Sequence, residues 1–214
     1  MTAGSAEAMA KSAPPKRRLS RQALSLPNLL TYARVAAIPG VLVLMSVDTP
    51  RYAFWAAMTF ALASVTDALD GYIARRYNLI SVLGKFLDPL ADKLIVLAVL
   101  LMLLDLGRVP VWAALIILAR EMTITGLRSV AASEGIVIAA RDLGKTKTAF
   151  QMVGLWALIL NHPYPIELFP EPVDFHRLGL AFLYISLFFS VLSAVDYFVG
   201  FFRAIQNRER DDGG

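Results

Sequence analysis

The chain is predicted to be an all-α integral membrane protein, with six transmembrane helices, a short N-terminal interfacial helix and both termini in the cytoplasm. Three observations predict this. The 214 residues are 57% hydrophobic and 18% charged, with a mean hydropathy of +0.58, whereas a soluble domain is about 45–50% apolar and about 25% charged. Six stretches, at roughly 29–47, 52–74, 86–106, 109–131, 146–161 and 177–201, approach the length of about 20 helical residues that crosses a bilayer core. The basic residues, finally, sort to one side once those six stretches alternate.

Taken in order, residues 1–23 form a flexible basic tail with no apolar core long enough for a secretory signal. Lys16, Arg17, Arg18 and Arg21 in it serve equally as a solvated tail or as a tether to anionic lipid. The segment RQALSLPN would supply the interfacial turn before Pro27. The membrane domain then runs over 24–203, and 204–214 is a polar C-terminal tail. The connections between spans one and two and between spans three and four are tight, so these pairs should be antiparallel neighbours. The N-tail, the connection after span two, the connection after span four and the C-tail hold most lysines and arginines, while the other side has Arg51, Arg108 and Arg177. That bias places the termini in the cytoplasm. The outer connection 161–176 has four prolines and three acids. Its histidines, His162 and His176, lack a metal-binding spacing and read as ordinary interfacial residues. With no cysteine, disulfides and thiolate metal sites are excluded.

Four aspartates interrupt the apolar pattern. Asp67 and Asp70 fall in the last turns of span two, and Asp88 and Asp92 in the first turns of span three. Spacings of i, i+3 and i, i+4 put each pair on one helix face, and the hairpin brings the faces to one cytoplasmic mouth. Four carboxylates in a partly dehydrated site need protons or cations. Oxygen-only donors suit divalent cations, Mg²⁺ or Mn²⁺, and two such ions would hold a diphosphate for phosphoryl-type transfer. Gly71, Ala74 and Gly84 would let a ligand approach the backbone, although small residues also serve helix packing in membranes.

The run Asp67-x-x-Asp70-Gly71-x-x-Ala74-Arg75, eight residues, Gly84-x-x-x-Asp88-x-x-x-Asp92 resembles the signature of the CDP-alcohol phosphotransferases at every fixed position. The resemblance covers residues 24–203. It implies a six-helix membrane domain, commonly homodimeric, in which an acceptor alcohol displaces CMP from a CDP-linked donor. It further implies that Asp67, Asp70 and Asp88 ligate metal and that Asp92 is the general base facing the second metal. Asp67, Gly71, Ala74, Arg75 and Gly84 would bind the cytidine diphosphate.

The choice of acceptor turns on other residues. Arg34 lies too deep for a casual surface charge, and Arg120, Arg128, Lys145 and Lys147 flank the second cytoplasmic connection. Such cations suit an acceptor that carries its own phosphate, while a positive-inside excess alone would also account for the two lysines. Arg120 sits inside an apolar stretch and needs a partner. Glu121 could be that partner across a neighbouring helix, although adjacent helix positions do not face each other. The pattern Arg-Glu, Leu-Arg, Gly-Lys-x-Lys-Thr and Gln-Met is similar to the phosphatidylglycerophosphate synthase branch. It implies CDP-diacylglycerol as donor and glycerol-3-phosphate as acceptor, in a bacterial inner membrane with the site on the cytoplasmic face. Inositol phosphate, serine and phosphatidylglycerol stand as rival acceptors. A cation transporter is a rival of another class, but it would place acids at mid-membrane depth on several helices. Nothing in the chain points to a nucleic-acid partner.

Overall fold

The computed structural model describes residues 26–76, 82–134, 143–165 and 171–212. Six helices make up nearly all of it: α1 (Leu26–Ser46), α2 (Pro50–Arg76), α3 (Val82–Asp105), α4 (Val111–Ser133), α5 (Leu143–Leu160) and α6 (Phe175–Asp212). They coincide with the six apolar stretches, mostly to within a turn. The exception is α6, whose backbone stays helical through Asp212 into the segment expected to be a polar tail. The expected interfacial turn lies mostly outside the described residues. The chain divides into two compact units, one of Met1–Ile38 and Ala63–Ile95, the other of Pro39–Leu62 and Val96–Gly214.

In the larger unit, the helix ends show why the chain turns where it does. Helix α3 stops at a Schellman motif: the Gly107 amide donates to Leu104 O at 3.0 Å and the Arg108 amide to Leu103 O at 2.9 Å. The motif needs a left-handed residue after the helix, and Gly107 takes it with φ +68°. Helix α5 ends at Asn161, also left-handed at φ 55°, a conformation asparagine tolerates. Asp174 caps α6, its carboxylate accepting from the Arg177 amide at 3.1 Å. Between α5 and α6 the outer connection contains two short antiparallel strands, β1 (Pro163–Tyr164) and β2 (Val173–Asp174). The Tyr164 hydroxyl donates to Pro50 O at 2.6 Å, which anchors this pair to the start of α2. Burial pushes the Tyr164 phenol up, so it remains a donor.

Arg108 ties this end together. The residue is 6% exposed. Its Nη2 donates to Asp48 Oδ1 at 2.7 Å, in the turn between α1 and α2. Its Nη1 donates to Leu158 O and Ile159 O at 3.3 and 3.2 Å. Those carbonyls belong to the last turn of α5, where no intrahelical amide remains to satisfy them. Burial lowers the Arg108 pKa and the Asp48 charge opposes that shift. His162 Nε2 lies 3.2 Å from the same Asp48 oxygen, and His176 Nδ1 lies 3.0 Å from Asn161 Oδ1. Both histidines therefore serve the ends of connections.

Helices α5 and α6 pack closely along their length. Gln151, Gly154, Leu155 and Leu158 are buried on α5, and Gly179, Leu183, Ser186 and Ser190 on α6. At the crossing, a Cβ added to Gly154 would lie 2.9 Å from Leu183 N, and one added to Gly179 would lie 2.8 Å from Leu158 N. Backbone meets backbone there, as between membrane helices that cross through small residues. The outer surface is apolar: Leu115, Met122, Phe188 and Phe202 are exposed, and Trp112 stacks on Tyr184 at 5.6 Å. Among the described residues one helix, Phe175–Gln206, is long and apolar enough to cross a membrane, and only 22% of its most apolar window is buried.

Candidate active site

The aspartate motif lies on two helix ends. Asp67, Asp70, Gly71, Ala74 and Arg75 belong to the last turns of α2, and Gly84, Asp88 and Asp92 to the first turns of α3. Helical backbone at these positions keeps each aspartate pair on one helix face. The side chains of these eight residues lie outside what the structure describes. Arg34, on α1 in the same unit, is buried at 4% exposure.

The other unit brings together part of the predicted basic set. Helix α4 opens with an apolar run after Pro110 and then carries Arg120 and Glu121 at its middle. The Thr125 hydroxyl donates to Glu121 O at 2.7 Å, one turn back. Arg120 Nη1 donates to Glu121 Oε1 at 2.9 Å. Glu121 is thus the partner of Arg120 although adjacent helix positions do not face each other: their Cβ atoms diverge, but a guanidinium and a glutamate are long enough to curl together. The same oxygen accepts from Lys147 Nζ of α5. Arg120 continues to α6, with Nε donating to Ser190 O at 3.3 Å and Nη2 to Ser193 Oγ at 3.0 Å.

The result is a cluster that joins α4, α5 and α6. The Arg120 and Lys147 side chains are 12% and 6% exposed, while Glu121 keeps 29%. Two cations meet on one carboxylate in a largely dehydrated setting. Such a setting favours an anionic ligand with several oxygen acceptors, because charge-assisted hydrogen bonds strengthen as water is excluded.

The structure separates residues that looked alike in sequence. Lys145 and Lys147 both lie in the first turns of α5 rather than in a loop, yet Lys147 is buried and Lys145 exposed. Arg128 is exposed, its Cζ 5.7 Å from the centre of the Tyr197 ring, within cation–π range. Sequence reasoning missed Ser190 and Ser193, two of many serines on an apolar helix. The available signal was their spacing from Gly179, which places Ser190 on the buried stripe.

Comparison with known proteins identifies the chain's relatives. A family model described as CDP-alcohol phosphatidyltransferase matches residues 24–192. A CDP-diacylglycerol–glycerol-3-phosphate 3-phosphatidyltransferase of Bacillus subtilis is 42% identical over 186 residues, spanning 81% of this chain and 93% of the relative. The protein of that name in Rickettsia bellii is 40% identical over 174 residues, spanning 81% of this chain and 93% of its own. A cardiolipin synthase (CMP-forming) of Oryza sativa subsp. japonica is 37% identical over 198 residues, spanning 86% of this chain and 58% of its own. The match over most of the chain, with the aspartate motif inside it, establishes that the chain belongs to the CDP-alcohol phosphatidyltransferase family.

Proposed function

We propose that the chain transfers the phosphatidyl group of CDP-diacylglycerol to glycerol-3-phosphate, forming phosphatidylglycerophosphate and releasing CMP. The family membership and the names of the bacterial relatives support the reaction. One observation carries the choice of acceptor: two cations, the half-buried Arg120 and the buried Lys147, meet on a single carboxylate, a setting suited to a phosphate. Arg34, Arg128 and Lys145 complete the proposed acceptor set.

The acceptor hydroxyl oxygen forms a bond to the phosphatidyl phosphorus as the bond from that phosphorus to the CMP oxygen breaks. Asp92 takes the hydroxyl proton, since an alcohol is a poor nucleophile at neutral pH without a base. Asp67, Asp70, Asp88 and Asp92 would hold two divalent cations, Mg²⁺ or Mn²⁺, to which four carboxylate donors in paired helical spacing are well matched. Bound there, the cations would offset charge on the diphosphate and on CMP. Asp67, Gly71, Ala74, Arg75 and Gly84 seat the cytidine diphosphate.

The setting is a bacterial inner membrane crossed six times, with the site on the cytoplasmic face and the protein a homodimer. The basic bias of alternate connections supports the orientation. The largely unburied apolar face of α6 supports the lipid setting, because a helix of that composition in a soluble core would be covered.

The test is CMP release from labelled CDP-diacylglycerol by the purified protein, with each acceptor supplied separately. Release should require Mg²⁺ or Mn²⁺ and glycerol-3-phosphate. A preference for phosphatidylglycerol, serine or inositol phosphate would overturn the acceptor. Asp92→Asn should retain donor binding and lose turnover by about 10²-fold or more; full activity would remove Asp92 as the base.

A further inference from the structure

We propose that Glu121 is a positioning residue of the acceptor site, its negative charge holding Arg120 and Lys147 together for the acceptor's phosphate. This rests on the proposed reading of the cluster as the acceptor site and adds to it a residue of opposite charge. An acidic side chain is an unexpected member of a phosphate site, because it repels the ligand. The geometry gives it a reason to be there.

Arg120 and Lys147 stand on different helices, both largely removed from water. Like charges brought that close in a low-dielectric setting repel, and each pays for lost hydration. Glu121 Oε1 accepts from both cations and so offsets the repulsion at its source. Arg120 is also fixed from the far side by Ser190 O and Ser193 Oγ. These three contacts engage one N–H on each guanidinium nitrogen. Among the described residues, one N–H on each of Nη1 and Nη2 is left to donate to a ligand oxygen. Glu121 is the most exposed of the three ionic groups.

The role is one of charge rather than length, and two conservative variants separate these. Glu121→Gln preserves size and a carbonyl acceptor but removes the charge. Glu121→Asp preserves the charge on a shorter stem. The expected result in steady-state assays is a KM for glycerol-3-phosphate about tenfold higher in Glu121→Gln, with kcat and the KM for CDP-diacylglycerol within about twofold of the unaltered protein. Glu121→Asp should restore part of the loss. Inorganic phosphate should compete with glycerol-3-phosphate less well in Glu121→Gln by a similar factor.

A simple strut between helices predicts the reverse order, with Asp worse than Gln, and that result overturns the proposal. So does an unchanged acceptor KM in Glu121→Gln, or an equal rise for both substrates. Should Glu121→Gln fail to fold, Ser193→Ala removes a neutral support of the same guanidinium. It should raise the acceptor KM about threefold and leave the donor KM alone; an unchanged acceptor KM there overturns the proposal. Failure of the underlying reading is visible separately, because the unaltered protein would then use an uncharged acceptor as well as glycerol-3-phosphate.

Discussion

At the scale of single residues, Arg108 shows how one side chain can serve three connections. It follows the Schellman turn of α3, pairs with Asp48 and satisfies two carbonyls at the end of α5. Arg108→Ala would leave those carbonyls without their donor, and should cost about 2 kcal/mol of stability, read as a lower unfolding temperature in detergent. Asp48→Asn should cost under about 1 kcal/mol, because the Asp48 side chain is 61% exposed and its charge is screened. The pH behaviour follows from the sign of the shift. A base whose pKa is lowered by burial opposes folding while charged, and regains stability only as pH rises through the lowered value. Arginine stays protonated throughout the neutral range, so the tie should hold unchanged across it. None of this was legible in the sequence, where Arg108 was one of three stray basic residues on the outer side. Its partners stand 50 to 60 positions away. The aspartate motif was legible for the opposite reason: its spacing is local, and helix geometry turns spacing directly into a shared face. Glu121 falls between these cases. It was named as a possible partner of Arg120, but its link to Lys147 of α5 could not be read from α4 alone.

At the scale of elements, the α5–α6 crossing sets the tightest steric demand. A Cβ on Gly179 would meet Leu158 Cγ at 2.7 Å and Leu158 N at 2.8 Å, and one on Gly154 would meet Leu183 N at 2.9 Å. Side-chain rotation cannot relieve contact with backbone. Gly154→Ala and Gly179→Ala should each destabilise by about 1–3 kcal/mol, the usual range for overpacking. Gly126→Ala is the control: nothing lies within 4 Å of the added carbon, so the better helix propensity of alanine should leave stability equal or raise it by up to about 1 kcal/mol. Detergent melting curves of the three variants test the contrast. The helices themselves were readable from apolar length, while the residues that end them, Gly107, Pro110 and Asp174, took their roles only from the structure. The two strands of the outer connection were not readable, because each is two residues long and rests on Tyr164 reaching Pro50. The extension of α6 was also missed, since the fall in hydropathy after Arg203 marks the end of the apolar span and not the end of the helix.

At the scale of the whole molecule, the proposed topology makes a prediction that the cysteine-free sequence renders easy to test. A single cysteine in place of Arg177 should react with a membrane-impermeant maleimide in intact cells stripped of their outer layers. A cysteine in place of Arg203 should react only after the membrane is opened. Labelling of both from one side would overturn the proposed crossing by α6. The Arg108 tie has a further consequence, in the order of biosynthesis. Chains emerge from the N-terminus, so Asp48 and Arg108 both exist before Leu158 and Ile159 have been made. The carboxylate can engage the guanidinium while α5 is still unbuilt, and the earlier helices then present an oriented donor to the newcomer. On this sequence of events the last turn of α5 is capped by a residue already waiting in place, and the arrival of the second half of the protein completes a joint begun by the first.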